Sequence, residues 1–252
     1  MSAVQQHYDN LLGPVYSWML GDMSVALAAA RTQLQELGVP ALAPGVAIDL
    51  GAGPGVHAIP LAEMGFSVLA IDSCAALLDE IPHHAPGTTV VRITDDLTRF
   101  RSHLEGRAKV ILCMTDTLTH LPTHAAVDQL CEDVAAALEP GGMFIATFRD
   151  YSGKAPEGTA RSIPVRSDAD RILTCFLEYG DTHVTVHDLL HEREGSGWKL
   201  KVSAYPKLRL APGALQTRFE SLGLRATLSA GPRGMICLAA IAPQSTGTAT
   251  AR

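Results

Sequence analysis

The stretch Val46-Ala-Ile-Asp-Leu-Gly-Ala-Gly-Pro-Gly55 decides the fold of this chain. Its apolar first half predicts a buried strand, and its second half is a glycine-rich loop that follows Asp49. A second apolar run, at 66–71, ends at another acid, Asp72. A strand, a glycine loop, a helix, a strand and an acid form the arrangement that holds an adenosine-containing cofactor at the open end of a parallel sheet.

The spacing of the glycines distinguishes between the cofactors that such a loop can bind. The dinucleotide fingerprint requires its third glycine at position 56, which is Val56, whereas the loop has glycines at 51, 53 and 55. A Gly-x-Gly-x-Gly loop placed two residues after an acid closely resembles that of the class I S-adenosylmethionine (SAM) methyltransferases. The resemblance implies SAM as the cofactor, S-adenosylhomocysteine (SAH) as its product, and no metal.

The composition excludes several classes of function. A chain of 252 residues with 47% hydrophobic content suits one α/β domain with an added subdomain. The net charge of −6, without a basic cluster, argues against a nucleic-acid partner, and no apolar run approaches membrane-spanning length. The five cysteines are widely spaced and no signal peptide is evident, so we expect free thiols in a cytoplasmic protein. We expect a small-molecule substrate, and a homodimer is the oligomer considered.

The rest of the chain predicts a doubly wound α/β fold, because strand-like and helix-like patterns alternate. Further strands are expected near 88–93, 109–114, 142–148 and 234–242, with helices near 123–138 and 212–223 and a turn at Pro140-Gly141-Gly142. Three β-rich runs, near 171–179, 182–192 and 198–208, predict an antiparallel insertion before the last helix. We therefore expect a Rossmann-like, mostly parallel sheet of seven strands.

The predicted organisation has five parts. They are an N-terminal helical cap at 1–40, a SAM-binding core at 41–150, a substrate-covering insertion at 151–210, the end of the core at 211–243 and a flexible tail at 244–252. Within the cap, Ser24 is expected to begin an alanine-rich helix.

Ligands of an open α/β sheet bind outside the carboxyl ends of its strands, so the residues that follow each strand are candidates for the site. After the third strand come Asp95, Asp96 and Leu97. In this superfamily an acid at this position commonly meets the adenine amino group. Asp96 is the preferred residue, and the alternative is that the acid caps a helix.

Three further segments resemble glycine N-methyltransferase and its small-molecule relatives. The run at 112–121 resembles their Gly-Asn-Ser-x-x-His-Leu segment, with Thr115-Asp116-Thr117 in place of Gly-Asn-Ser and with His120 retained. Phe148-Arg149-Asp150-Tyr151 resembles their Arg-Asn-Tyr segment, in which the arginine binds the carboxylate of glycine. The run at 16–22 is similar to their cofactor-covering helix. The cofactor contacts implied by these resemblances are Tyr16, Trp18, Asp49, Gly51, Ala52, Gly53, Asp72, Ser73, Asp95, Asp96, Leu97, Met114 and Thr115.

The candidate catalytic residues are His120, Arg149 and Tyr151. The planar guanidinium of Arg149 matches a carboxylate with two hydrogen bonds, and the alternative is an ion pair with Asp150. His120 is expected to act as a base or as a hydrogen-bond orienter, or else to satisfy the start of a helix.

The predicted substrate contacts are Arg149, Tyr151, His187 and Tyr205. His187 stands four residues from His183 and from His191, about 13 Å along a strand, which is too far for the three to share a metal. We instead expect His187 to line the substrate cavity.

These patterns predict a SAM-dependent methyltransferase (EC 2.1.1) that methylates the nitrogen of a small carboxylate-bearing amine. One alternative is O- or S-methylation of a small metabolite by means of a histidine base. An NAD(P)-dependent oxidoreductase and a non-catalytic SAM-binding protein are the other two.

Overall fold

The structure, a computed structural model, describes residues 2–244, so the predicted tail from 245 onward lies outside it. The strands are β1 (Gly45–Leu50), β2 (Phe66–Asp72), β3 (Val90–Thr94), β4 (Ala108–Cys113), β5 (Leu138–Phe148), β6 (Ser162–Ser167), β7 (Arg171–Tyr179), β8 (His183–Glu194), β9 (Gly197–Leu208), β10 (Arg225–Ala230) and β11 (Ile236–Ile241). The α-helices are α1 (Ala3–His7), α2 (Tyr16–Leu20), α3 (Met23–Glu36), α4 (Ala58–Glu63), α5 (Ala75–Leu78), α6 (Ile81–His84), α7 (His124–Ala137) and α8 (Pro212–Ser221).

The first sheet has seven strands in the order β10-β11-β5-β4-β1-β2-β3. The pairs among β1 to β5 are parallel, and β11 runs antiparallel to both β5 and β10. Ile48 and Leu50 of β1 belong to one hydrophobic core and Ala47 to another, because successive side chains of a strand point to opposite faces. The predicted Rossmann-like α/β fold is confirmed, and β10 is a strand that the sequence patterns did not indicate.

The second sheet is antiparallel, with the order β6-β7-β8-β9. The three predicted β-rich runs form β7, β8 and β9, which pair as successive hairpins across Gly180-Asp181 and Gly195-Ser-Gly197. The predicted antiparallel addition before the last helix is confirmed. The edge strand β6 was missed.

Two local predictions were wrong. Asp22, and not Ser24, caps α3: its side chain accepts a hydrogen bond from the Ser24 backbone N–H at 2.8 Å. Residues 140–142 do not separate a helix from a strand but lie inside β5, where the pairing with β4 shifts register between Ala108 and Val110. An irregularity in the strand therefore takes the place of the predicted turn.

Within residues 2–244, no helix is both long and apolar enough to cross a membrane.

Candidate active site

A cavity of about 710 Å³ lies between the carboxyl edge of the first sheet and the inner face of the second. Its wall includes Ala52 of the glycine loop, Thr115 and Arg149 at the ends of β4 and β5, and Tyr205 of β9. The strand-end position agrees with the rule for open α/β sheets, so this cavity is the candidate active site.

The glycine loop is held to the end of β2 by hydrogen bonds. Asp72 accepts hydrogen bonds from the backbone N–H groups of Gly53 and Cys74, both at 2.8 Å. Gly51 has a φ of +75°, and a Cβ atom at that position would collide with the Thr117 side chain. A glycine is needed here both for the positive φ and for the close approach to the β4 end.

Asp49 is a buried acid below this loop, with 1% of its surface exposed. Burial and the nearby Asp72 carboxylate raise the pKa of Asp49 to about 7. A hydrogen bond from the Ala58 backbone N–H acts in the opposite direction and is outweighed. Its Oδ2 atom has no hydrogen-bond partner among the described residues. A buried carboxyl group with an unused oxygen is suited to a cationic ligand.

Two tyrosines of the N-terminal segment stand above the loop. The Tyr16 ring is near Gly53, where a Cβ atom would lie 3.7 Å from it, and the Tyr8 ring centroid is 6.0 Å from that of Tyr16. Burial and the Asp72 carboxylate raise the pKa of Tyr16 to about 12. Both tyrosines line the cavity, so the N-terminal segment covers the loop side of the site.

Asp116, at the end of β4, collects four hydrogen bonds. Its Oδ1 accepts from the Arg149 backbone N–H at 2.9 Å and from Thr119 Oγ1 at 3.1 Å. Its Oδ2 accepts from Tyr151 Oη at 3.3 Å and from Lys207 Nζ. Burial by itself would raise the pKa of Asp116, but the Lys207 charge and these hydrogen bonds outweigh it and lower that pKa. Asp116 is therefore a carboxylate at neutral pH.

The Asp116–Lys207 ion pair joins the two sheets. Lys207 is on β9, and both side chains are almost completely buried. Asp116 has a φ of +72°, an uncommon conformation for a residue other than glycine. The ion pair thus holds the second sheet against the end of β4, where the Asp116 backbone has this uncommon conformation.

His120 packs its ring parallel to that of Tyr205, with centroids 5.4 Å apart. Burial and then the Lys207 charge lower the pKa of His120 to about 3, so the imidazole is neutral. Its buried Nδ1 has no hydrogen-bond partner among the described residues. A neutral imidazole of this pKa is a weak base, but it is able to accept a hydrogen bond from a ligand.

Arg149 lines the cavity, and within residues 2–244 it forms no ion pair. The Asp150 carboxylate, which was the alternative partner, instead accepts hydrogen bonds from the Ser152 N–H and hydroxyl. The Arg149 guanidinium donates to the backbone oxygen of Arg233 at 3.3 Å. The structure thus places an arginine without a carboxylate partner beside the glycine-loop cavity.

Several of the predicted cofactor contacts lie outside the cavity wall. Trp18 Nε1 donates to Asp168 at 2.5 Å, and Asp95 contacts His103 at 2.8 Å. Asp96 accepts from the Thr98 N–H at 2.9 Å and caps the 3₁₀ segment Leu97–His103, as in the alternative that the sequence left open. The other predicted contacts that are absent from the cavity wall are Asp49, Gly51, Gly53, Asp72, Ser73, Leu97 and Met114. Contacts between these residues and a cofactor stay predictions.

His187 was expected to line the cavity, but it is not part of the cavity wall. Its ring contacts Glu178 at 3.0 Å on the outer face of the second sheet. Alternation along β8 puts Val186 and Asp188 on the inner face, and these two residues line the cavity instead. Tyr151 and Tyr205 do lie in the cavity wall.

The sequence patterns missed several cavity residues, and three of these are both buried and ionisable. They are His57, Asp188 and Lys207. A signal existed for Asp188, because it stands at the apolar parity of β8 with Val186 and Leu190. Lys207 had none, since its parity on β9 also holds Lys201 and Ser203. His57 had no such signal, and burial lowers its pKa to about 4.

Comparison with known proteins identifies relatives of the chain. Residues 47–142 match the family described as a methyltransferase domain. A glycine/sarcosine N-methyltransferase from Halorhodospira halochloris is 26% identical over 113 residues, 44% of this chain and 42% of that protein. A glycine N-methyltransferase from Mus musculus is 26% identical over 187 residues, 63% of either chain. These matches therefore span less than two thirds of both relatives.

A solved structure shares the fold over nearly the whole chain. It is an S-adenosylmethionine-dependent methyltransferase from Clostridium acetobutylicum ATCC 824, with a TM-score of 0.69 and 14% sequence identity. The match covers 95% of this chain and 98% of that one.

Replacing Lys207 by methionine is expected to destabilise the protein by about 3–5 kcal/mol, because it leaves the Asp116 carboxylate buried without its partner. The double variant Asp116→Asn/Lys207→Met should recover part of that loss. Urea unfolding of the wild type, both single variants and the double variant measures the coupling. Strictly additive losses would contradict a functioning ion pair.

Proposed function

We propose that the chain is a class I SAM-dependent methyltransferase that methylates the nitrogen of a small carboxylate-bearing amine, as the methyltransferase-domain match at residues 47–142 and the glycine N-methyltransferase relatives support. The observation that carries the proposal is Arg149, a cavity arginine without an acidic partner among the described residues, in the same cavity as the glycine loop. A guanidinium in this position is able to bind the substrate carboxylate with two hydrogen bonds. Two relatives whose names specify glycine as a substrate support the choice of substrate class.

The residues at the glycine loop fit SAM. SAM carries no phosphate but has a positively charged sulfur and an amino acid end, and the unused Asp49 Oδ2 supplies negative charge below the loop. Asp72 keeps two carboxylate oxygens beside the loop, where an acid is able to accept hydrogen bonds from ribose hydroxyls. Asp49, Gly51, Ala52, Gly53, Asp72 and Tyr16 would hold the cofactor.

The reaction places modest demands on this chain's own side chains. Bound SAM would supply a methyl group on a positively charged sulfur and would be left as SAH. The substrate nitrogen accepts a methyl group with its lone pair, so the ammonium form of the substrate must first lose a proton to solvent. Arg149 would bind and orient the substrate, and the Tyr8, Tyr16 and Tyr205 rings would exclude water. The neutral His120 would accept a hydrogen bond through Nδ1.

The alternatives receive less support. A histidine-assisted O- or S-methylation needs a stronger base than an imidazole with a pKa of about 3. The loop that binds a nicotinamide dinucleotide requires a third glycine at position 56, and this chain has Val56 there. A non-catalytic SAM-binding protein has no need for a large cavity between loop and second sheet. The cytoplasmic location, the homodimer and the five-part division of the chain stay predictions.

SAM affinity is expected to rise with pH and to level off above about pH 7. Because its raised pKa keeps Asp49 largely protonated below that pH, binding of a cationic ligand there favours the carboxylate and releases a proton. Calorimetry in two buffers of different ionisation enthalpy measures the proton release. Asp49→Asn should abolish this component. Asp79→Asn, at an exposed acid outside the cavity wall, should keep it. An unchanged proton release in Asp49→Asn would contradict the role of Asp49.

Arg149→Lys tests the substrate assignment. Lysine cannot form the two-point contact, so the KM for the best acceptor in a panel of amino carboxylates should rise about tenfold while SAH affinity is retained. Arg107→Lys is the control, because Arg107 donates to the Leu138 backbone oxygen and is not part of the cavity wall. If the acceptor KM is unchanged, or if SAH affinity falls in parallel, Arg149 does not bind the substrate carboxylate.

A further inference from the structure

Asp188 is an acid on the inner face of the second sheet. It occupies an inward position of β8 between Val186 and Leu190, only 2% of its surface is exposed, and it lines the cavity. A carboxylate in such a place is costly unless hydrogen-bond donors surround it.

The protein supplies fewer donors to Asp188 than the group requires. Its Oδ1 accepts from the Cys175 thiol at 2.7 Å, and burial and Asp188 itself raise the pKa of that thiol, which therefore stays protonated. His7 Nε2 lies 3.0 Å from Oδ2, yet neither ring nitrogen of His7 has a hydrogen-bond partner among the described residues. The imidazole thus does not aim an N–H at the carboxylate. Within residues 2–244, Oδ2 accepts no hydrogen bond, whereas Asp116 accepts four.

The strand register places Asp188 at one end of an inward-facing row on the second sheet, and Lys207, the partner of Asp116, at the other end. Lys207 pairs with Val184, which stands four residues from Asp188, or roughly 13 Å along the strand. Asp116 at that far end accepts the Arg149 backbone N–H, and the Arg149 guanidinium reaches from there to the Arg233 backbone oxygen. The row between the two ends is apolar: Val186 pairs with Leu177 on one side and with Tyr205 on the other, and all three line the cavity.

We propose that Asp188 binds the amino group of the substrate, and that the substrate is an elongated zwitterion longer than glycine. Its amino N–H groups meet Asp188 Oδ2, its carboxylate meets Arg149, and an apolar spacer packs against the row of Leu177, Val186 and Tyr205. This inference rests on the proposed function and deepens it, because it identifies a second charged contact and sets a length for the substrate.

Binding to SAH-saturated protein tests the proposal directly. The probes are glycine, 4-aminobutanoate and 6-aminohexanoate, together with butanoate and hexanoate, which lack the amino group. By calorimetry, the best longer amino acid should bind about tenfold or more tightly than both glycine and its counterpart without the amino group. Equal affinities of each amino acid and its counterpart without the amino group, or no binding of any probe, would overturn the inference. This test uses the wild-type protein and does not depend on the folding of a variant.

Two variants separate substrate binding from a structural role of Asp188. Asp188→Asn should remove the preference for the amino acid and leave the affinity for butanoate and hexanoate unchanged. His7→Gln removes the ring beside Asp188 and should keep the preference. If both variants lose it equally, Asp188 only positions α1 and the inference fails. Failure of the wild type to bind SAH would instead overturn the proposed function, and this inference with it.

Discussion

The buried ion pair between Asp116 and Lys207 is the interaction on which the rest of the site depends. Two charges removed from water are favourable only when their geometry and their other hydrogen bonds are good, and Asp116 also accepts from Thr119, Tyr151 and the Arg149 N–H. The pair connects residues 91 positions apart in the sequence. It thereby fixes the second sheet over the strand ends and holds the backbone of Arg149 at the cavity.

The two sides of the cavity differ in charge. Below the glycine loop, the carboxyl groups of Asp49 and Asp72 are close enough for Asp72 to raise the pKa of Asp49, and Asp49 is left with an unused oxygen. Across the cavity, the charges of Asp116 and Lys207 offset each other, so the net positive charge comes from Arg149 and Arg233, which both line the cavity. A cationic cofactor beside the loop and an anionic group beside Arg149 suit this distribution.

The sequence patterns predicted the fold well where structure follows from local alternation and turn chemistry. Buried apolar runs identified β1, β2 and β4, and the glycine pairs identified the hairpins of the second sheet. The edge strands β6 and β10 were missed because much of their length is exposed and lacks a continuous apolar run.

The candidate site was predictable only in part. The loop glycines, Asp72 and Arg149 stand at or directly after the ends of strands, so their place at the carboxyl edge of the sheet could be predicted from the sequence. Lys207 reaches Asp116 only through the packing of one sheet on the other, which no local pattern contains. The prediction that His187 lines the cavity was an error of one residue in strand parity, and such an error exchanges the inner and outer faces of the sheet.

Calorimetric titration of the purified protein with SAM, SAH and NADH tests the central claim, that the glycine loop and its acids hold SAM. SAM and SAH should bind with micromolar affinity, and NADH should not bind. Binding of NADH without a response to SAM would contradict that claim.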